Sequence, residues 1–128
     1  MNALLLLVAE ENGNAGLGVF DEAKVAADLG TIAGVTALQR GDFIGSHLQC
    51  SYAFRGDQTL VRLSDDCQSI TIHGMGDASL QIALELQRRE SRPLRVVDFA
   101  YSFDFVLAGI KSVEEFSARI HAAELLAA

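Results

Sequence analysis

The sequence predicts an α+β fold: an antiparallel meander sheet extended by a crossover strand and a hairpin, with two or three helices packed on one face. Three observations predict it. Leu48–Ile72 keeps a two-residue beat across two turns, with Cys50, Tyr52 and Phe54, then Val61 and Leu63, then Ile70 and Ile72 on one side. After Gly74-Met75-Gly76 the beat changes to helical spacing, then a β-rich stretch begins at Leu94 and alternation returns from Tyr101. Ser112-Val113-Glu114-Glu115 is a capping box that opens a last helix.

The elements follow in order. Ala3–Ala9 is apolar but far too short to span a bilayer, and no Lys or Arg precedes it as in a signal peptide, so a buried first strand is expected. ENGNAGLG is a Gly/Asn turn. Asp21 caps a short helix over Glu22–Leu29, with Gly30 as its stop. Thr31–Leu38 fits strand, helix or loop, and Arg40-Gly41-Asp42 reads as a turn. In the meander, a Gly56-Asp57 turn would set Arg55 opposite Gln58 and Cys50 opposite Leu63, while Leu63 meets Ile70. Arg62 then lies outward between Ser51 and Thr71, and His73 lies beside Leu60. Asp77 is read as the N-cap of a helix over Ala78–Glu90 with Leu80, Ala83, Leu84 and Gln87 along one stripe. Arg92-Pro93 ends it. Leu94–Phe99 is a strand reached by a crossover, and Tyr101, Phe103, Phe105 and Leu107 alternate in a last strand after a tight turn. The terminal helix buries Val113, Phe116 and Ile120.

Residues 1–128 form one domain on this reading, large enough for a core without metal or disulfide staples. The register places Cys50 and Cys67 roughly 13 Å apart, outside disulfide reach, so two reduced thiols are expected and the cytoplasm is the default location. Seventeen acidic residues against ten basic ones give a net charge of −7. That balance disfavours nucleic acid as a ligand and would steer a basic protein partner.

No reaction is legible. The Gly13–Gly18 stretch has neither the Lys-Ser/Thr of a phosphate loop nor the spacing of a dinucleotide fingerprint. His47, His73 and His121 share no metal-ligand spacing, and Asp65-Asp66-Cys67-Gln68-Ser69 is not a calcium loop. Arg55-Gly56-Asp57 is read as a charged turn. His73 and Asp98 would orient an imidazole if their strands were neighbours, but no nucleophile is placed beside them. No catalytic, cofactor or metal residue is expected.

The order YAFRGDQTLVRLSDDCQSITIHGMGDASLQIALELQRR followed by LRVVDFAYSFDFVLAGIKSVEEFSARI resembles bacterial immunity proteins of the polymorphic-toxin type. A charged meander, a helix and an aromatic hairpin precede a capped terminal helix. The resemblance implies a small acidic cytoplasmic domain that binds and blocks a cognate toxin without catalysis, and it assigns no role to any single residue. The expected partner-binding residues are Asp65 and Asp66 on one turn, Asp98 and Asp104 on the last hairpin, and Tyr101 or Phe103 as aromatic anchors. Two alternatives stand beside it. A ligand-binding or enzymatic domain would use a pocket near His73, Asp98 and Tyr101. An oligomerising module, for instance a homodimer, would use a sheet edge or the outward Leu60 patch.

Overall fold

A computed structural model describes residues 4–11, 14–15, 18–43, 46–98, 100 and 102–127. The elements are β1 (Leu4–Glu11), β2 (Asn14–Ala15), α1 (Glu22–Gly30), β3 (Val35–Phe43), β4 (Ser46–Phe54), β5 (Asp57–Ser64), β6 (Ile70–His73), α2 (Asp77–Arg89), β7 (Leu94–Asp98), β8 (Asp104–Val106) and α3 (Val113–Ala127). The strands pair in the order β3-β4-β5-β6-β1-β7-β8, with β2 beside β1, and every pairing is antiparallel. This is the α+β meander with its crossover and hairpin.

The first strand occupies the middle of the sheet. β1 pairs with β6 on one side and β7 on the other, so α2 crosses over the slot that β1 fills. Period-two geometry sends Leu5, Leu7 and Ala9 into the core, each 0 % exposed. Leu4, Leu6 and Val8 point to the opposite face and are only half-buried. The expectation of a buried strand therefore holds for one side of β1. Buried residues of all three helices join one cluster with Leu5, Leu7, Cys50, Val61, Ile72 and Val96. Among the described residues, the helices cover that face and leave the other open.

The meander's faces are as expected, but one register differs. The β4–β5 turn is Arg55-Gly56, not Gly56-Asp57, so Phe54 meets Asp57 and Cys50 meets Val61. Both turn residues have positive φ, 53° and 76°, as a type I′ hairpin requires. Arg55 accepts that conformation while its guanidinium stacks over Phe54 at 4.9 Å and reaches Glu114 at 3.1 Å. The shift is two residues, so every side chain keeps its face. Arg62 consequently lies between Gln49 and Thr71, not Ser51 and Thr71. The β5–β6 register, with Leu63 opposite Ile70 and Val61 opposite Ile72, is as expected. Cys50 and Cys67 are both free, and burial pushes the Cys50 thiol up to about 11.

β3 resolves the ambiguous segment as a long edge strand. Arg40-Gly41-Asp42 lies inside it and is not a turn. Register shifts between Thr36 and Gln39 and between Arg40 and Phe43, with positive φ at Ala37 and Gly41, break the two-residue beat. That break is why alternation could not be seen there.

The helix ends show where side chains replace missing backbone partners. Asp21 accepts from the Ala23 and Lys24 N–H groups and caps α1. Asp77 does not cap α2: Gly76 holds that position, and Asp57 reaches across from the β4–β5 hairpin to accept from the Ala78 N–H at 3.0 Å. Ser79 Oγ and Thr59 Oγ1 donate to the His73 carbonyl, which closes β6. α2 buries Ala78, Ser79, Ile82 and Leu86 beyond its expected stripe, because α1 and α3 flank it. Ser112 Oγ accepts from the Glu115 N–H, while Glu115 accepts from the Lys111 N–H. Val113, Phe116 and Ile120 are buried as expected, and Phe116 meets Phe105 edge-on at 5.9 Å.

The Asp57 contact gives a first expected result. Asp57→Ala should cost about 0.5–2 kcal/mol, the range for a lost N-cap. Asp77→Ala should cost less, because Asp77 contributes only the helix dipole and an exposed ion pair with Arg55 at 3.8 Å. Denaturant midpoints of the two variants check this order, and the reverse order would remove Asp57 from the cap.

Candidate functional site

The expected partner-binding residues fall in three different places. Asp65 and Asp66 lie in the exposed β5–β6 turn. Ser64 Oγ donates to Asp66 Oδ1 at 2.7 Å, and the Gln68 N–H donates to the same oxygen at 3.1 Å. Ser64 Oγ in turn accepts from the Gln68 and Ser69 N–H groups. The turn is thus held by its own side chains. The hydrogen bond from Ser64 and the one from Gln68 hold the Asp66 carboxyl below its ordinary range.

Two further acids join this turn. The Phe20 N–H donates to the Cys67 carbonyl at 2.7 Å, which brings the start of α1 alongside. Burial raises the Cys67 thiol, and the charges of Glu22, Asp66 and Asp21 raise it further. Glu22 is answered by Arg40 at 2.8 Å, whereas Asp21, Asp65 and Asp66 remain exposed. Asp21 and Glu22 were legible only as a cap and a first turn. Nothing local in the sequence joins residue 20 to residue 67.

The other expected residues serve different ends. Asp98 Oδ1 accepts from the Ser102 N–H at 2.6 Å and shapes the β7–β8 turn. Asp104 is exposed on β8, where Arg95 bridges it at 2.8 Å to Glu10 at 3.0 Å. Phe103 is 3 % exposed and packs against Phe105, so it belongs to the core and offers no anchor to a partner. Tyr101 lies outside the described residues.

The residues of the pocket alternative do not converge. β1 separates the strands of His73 and Asp98, with Leu4 opposite His73 and Leu5 opposite Asp98, so the two side chains take opposite faces of the sheet. An open groove of about 640 Å³ lies elsewhere, between Leu84, Gln87 and Arg88 of α2 and Ile110 and Lys111 of the loop before α3. Among the described residues, no three His, Cys, Asp or Glu side chains are grouped to hold a metal ion, and no helix is long and apolar enough to cross a membrane.

His73 instead sits on the open face, where burial and then the charge of Arg62 lower its pKa. A histidine whose pKa is lowered in the fold binds a proton more weakly there than in the unfolded chain. Its contribution is full above the ordinary imidazole value of 6.5 and is lost as pH falls below it. His73→Gln should therefore flatten the stability profile between roughly pH 7 and pH 5, read from urea midpoints. An unchanged slope would remove this coupling.

Compared with family models, with curated proteins and with solved structures, the chain finds no match. The fold and its geometry therefore carry the functional reading.

Proposed function

We propose that this protein is a non-enzymatic inhibitor of the immunity type, which binds a cognate bacterial toxin and occludes a basic active-site region with its acidic end. The observation that supports it is the convergence of Asp21, Glu22, Asp65 and Asp66 around the β5–β6 turn, with the Asp66 carboxylate held in place by hydrogen bonds from Ser64 and Gln68. Preset carboxylates suit occlusion, since little conformational freedom is lost when they meet a cation. The net charge of −7 adds long-range attraction for a basic partner. Of the two acidic pairs considered from sequence, Asp65 and Asp66 are favoured. Asp65 and Asp66 are exposed, whereas Asp98 is half-buried on the same face of the sheet as the core residue Leu5, and Asp104 is paired with Arg95. The cytoplasm is the compartment proposed for this action, as one where free thiols such as Cys50 and Cys67 persist.

Co-expression tests the reading. The toxin domain would be taken from the reading frame beside the gene for this chain. Wild-type protein should permit growth in its presence, while Asp65→Lys/Asp66→Lys should express as a folded protein and fail to protect. Protection undiminished by the double reversal would move the interface away from this turn.

A further inference from the structure

We propose that the open face of the sheet is a homodimer interface, in which a two-fold axis along β1 sets Arg62 of each protomer against Asp104 of the other. The proposal is independent of the acidic end, because Asp65 and Asp66 lie in a turn beyond the strands. It rests on two observations: the pattern of the face and the state of Arg62.

The registers place Gln49, Arg62, Thr71, Leu6, Val97 and Asp104 in one row across the sheet. Leu4 and Val8 extend the apolar line along β1, above and below Leu6. An antiparallel sheet with one face in water ordinarily turns polar side chains outward. Here the central strand turns outward leucine and valine, with charged groups to either side. Such a distribution, apolar in the middle and polar at the margin, is that of an interface.

Arg62 adds a specific demand. Its Nε is buried and has no hydrogen-bond partner among the described residues. That burial is within the protomer, so a second molecule would meet the terminal Nη groups, and a guanidinium is best answered by a carboxylate. A partner of this face should therefore present a carboxylate. A second copy of this chain does, and at the right place.

Arg62 is on β5, two strands from β1 on one side, and Asp104 is on β8, two strands from β1 on the other. Rotation by half a turn about an axis parallel to β1, midway between two facing sheets, exchanges these positions. At about 4.8 Å per strand each lies roughly 10 Å from the axis. Facing sheets pack about 10 Å apart with strands within about 30° of each other, which an extended arginine can bridge. Leu4, Leu6 and Val8 sit on the axis and meet their own copies, as a self-complementary contact requires. The Asp104 side chain is 49 % exposed and accepts from Arg95 through Oδ1. A carboxylate has about four acceptor sites, so it can take a second guanidinium. Glu10 of the two copies would approach near one end, each already neutralised by its own Arg95 at 3.0 Å.

Sedimentation equilibrium of the full chain tests this directly. The wild-type protein should associate reversibly to a dimer as its concentration rises. Arg62→Glu should raise the dissociation constant about 100-fold, roughly tenfold from each of the two symmetry-related pairs. Combining Arg62→Glu with Asp104→Arg should restore most of the association, because the charges are then exchanged. Should the Asp104→Arg change disturb folding beside Arg95, Leu6→Glu serves as the second variant and should be monomeric with an unchanged circular dichroism spectrum. A wild-type protein that stays monomeric at every soluble concentration would overturn the proposal. So would a dimer that persists undiminished in Arg62→Glu and Leu6→Glu.

Discussion

Phe116→Ala is expected to be among the most damaging single changes, costing about 3–5 kcal/mol. Phe116 is 0 % exposed and joins α3 to the far end of the sheet through its edge-on contact with Phe105. Truncation removes the transfer energy of the ring and leaves a cavity that Val113 and Ile120, one helical turn away on either side, cannot fill. Ser112→Ala removes only a cap at the start of the same helix, worth about 0.5–2 kcal/mol. Denaturant midpoints should therefore show Phe116→Ala as clearly the worse of the two. If Ser112→Ala proved worse, α3 would not be packed as described.

The second large effect lies on β1. Leu7→Ala should cost about 2–5 kcal/mol, because Leu7 is 0 % exposed in the centre of the core. Leu6→Ala, its neighbour on the half-buried open face, should cost about 1 kcal/mol when measured at dilution. The two residues are chemically identical and adjacent, so the contrast isolates the side of the sheet on which each lies. Equal costs would mean that both faces of β1 are covered in the isolated chain.

That pair also marks what the sequence could and could not disclose. Alternation in the Cys50–Ile72 meander was legible because each strand has one buried and one open face. The pattern survived a wrong turn assignment, since a two-residue slip preserves facing. Reading Ala3–Ala9 as simply buried missed its two-sidedness. A continuous apolar run carries no periodicity to separate core from open face. β3 was illegible because its bulges erase the beat. Asp57 was read as a surface acid at a turn, yet it caps α2 from 21 residues away, a relation no local pattern encodes.

The candidate site was legible in part for the same reason. The exposed acids of the β5–β6 turn follow from a hairpin signal, so Asp65 and Asp66 stand where expected. Phe103 was read as an anchor because alternation identifies a face but not which layer covers it. The helices cover that face, and Phe103 is part of the core. His73 and Asp98 failed to meet because β1, the first strand in the chain, inserts between theirs. Strand order is a long-range property, set by packing of the whole sheet and not by the residues that flank the site.

The inhibitor reading makes an electrostatic demand on its partner. Attraction between an acidic end and a basic toxin site should speed association at low salt and fade as the Debye length shortens to about 8 Å at physiological ionic strength. The most direct measurement is stopped-flow association of the purified protein with the candidate toxin domain used for co-expression, across ionic strength, for the wild type and for Asp65→Lys/Asp66→Lys. The account predicts a specific complex whose association rate falls steeply with salt, and a double variant that associates far more slowly while remaining folded. No complex with that toxin, together with turnover or tight binding of a small metabolite by the protein alone, would contradict it.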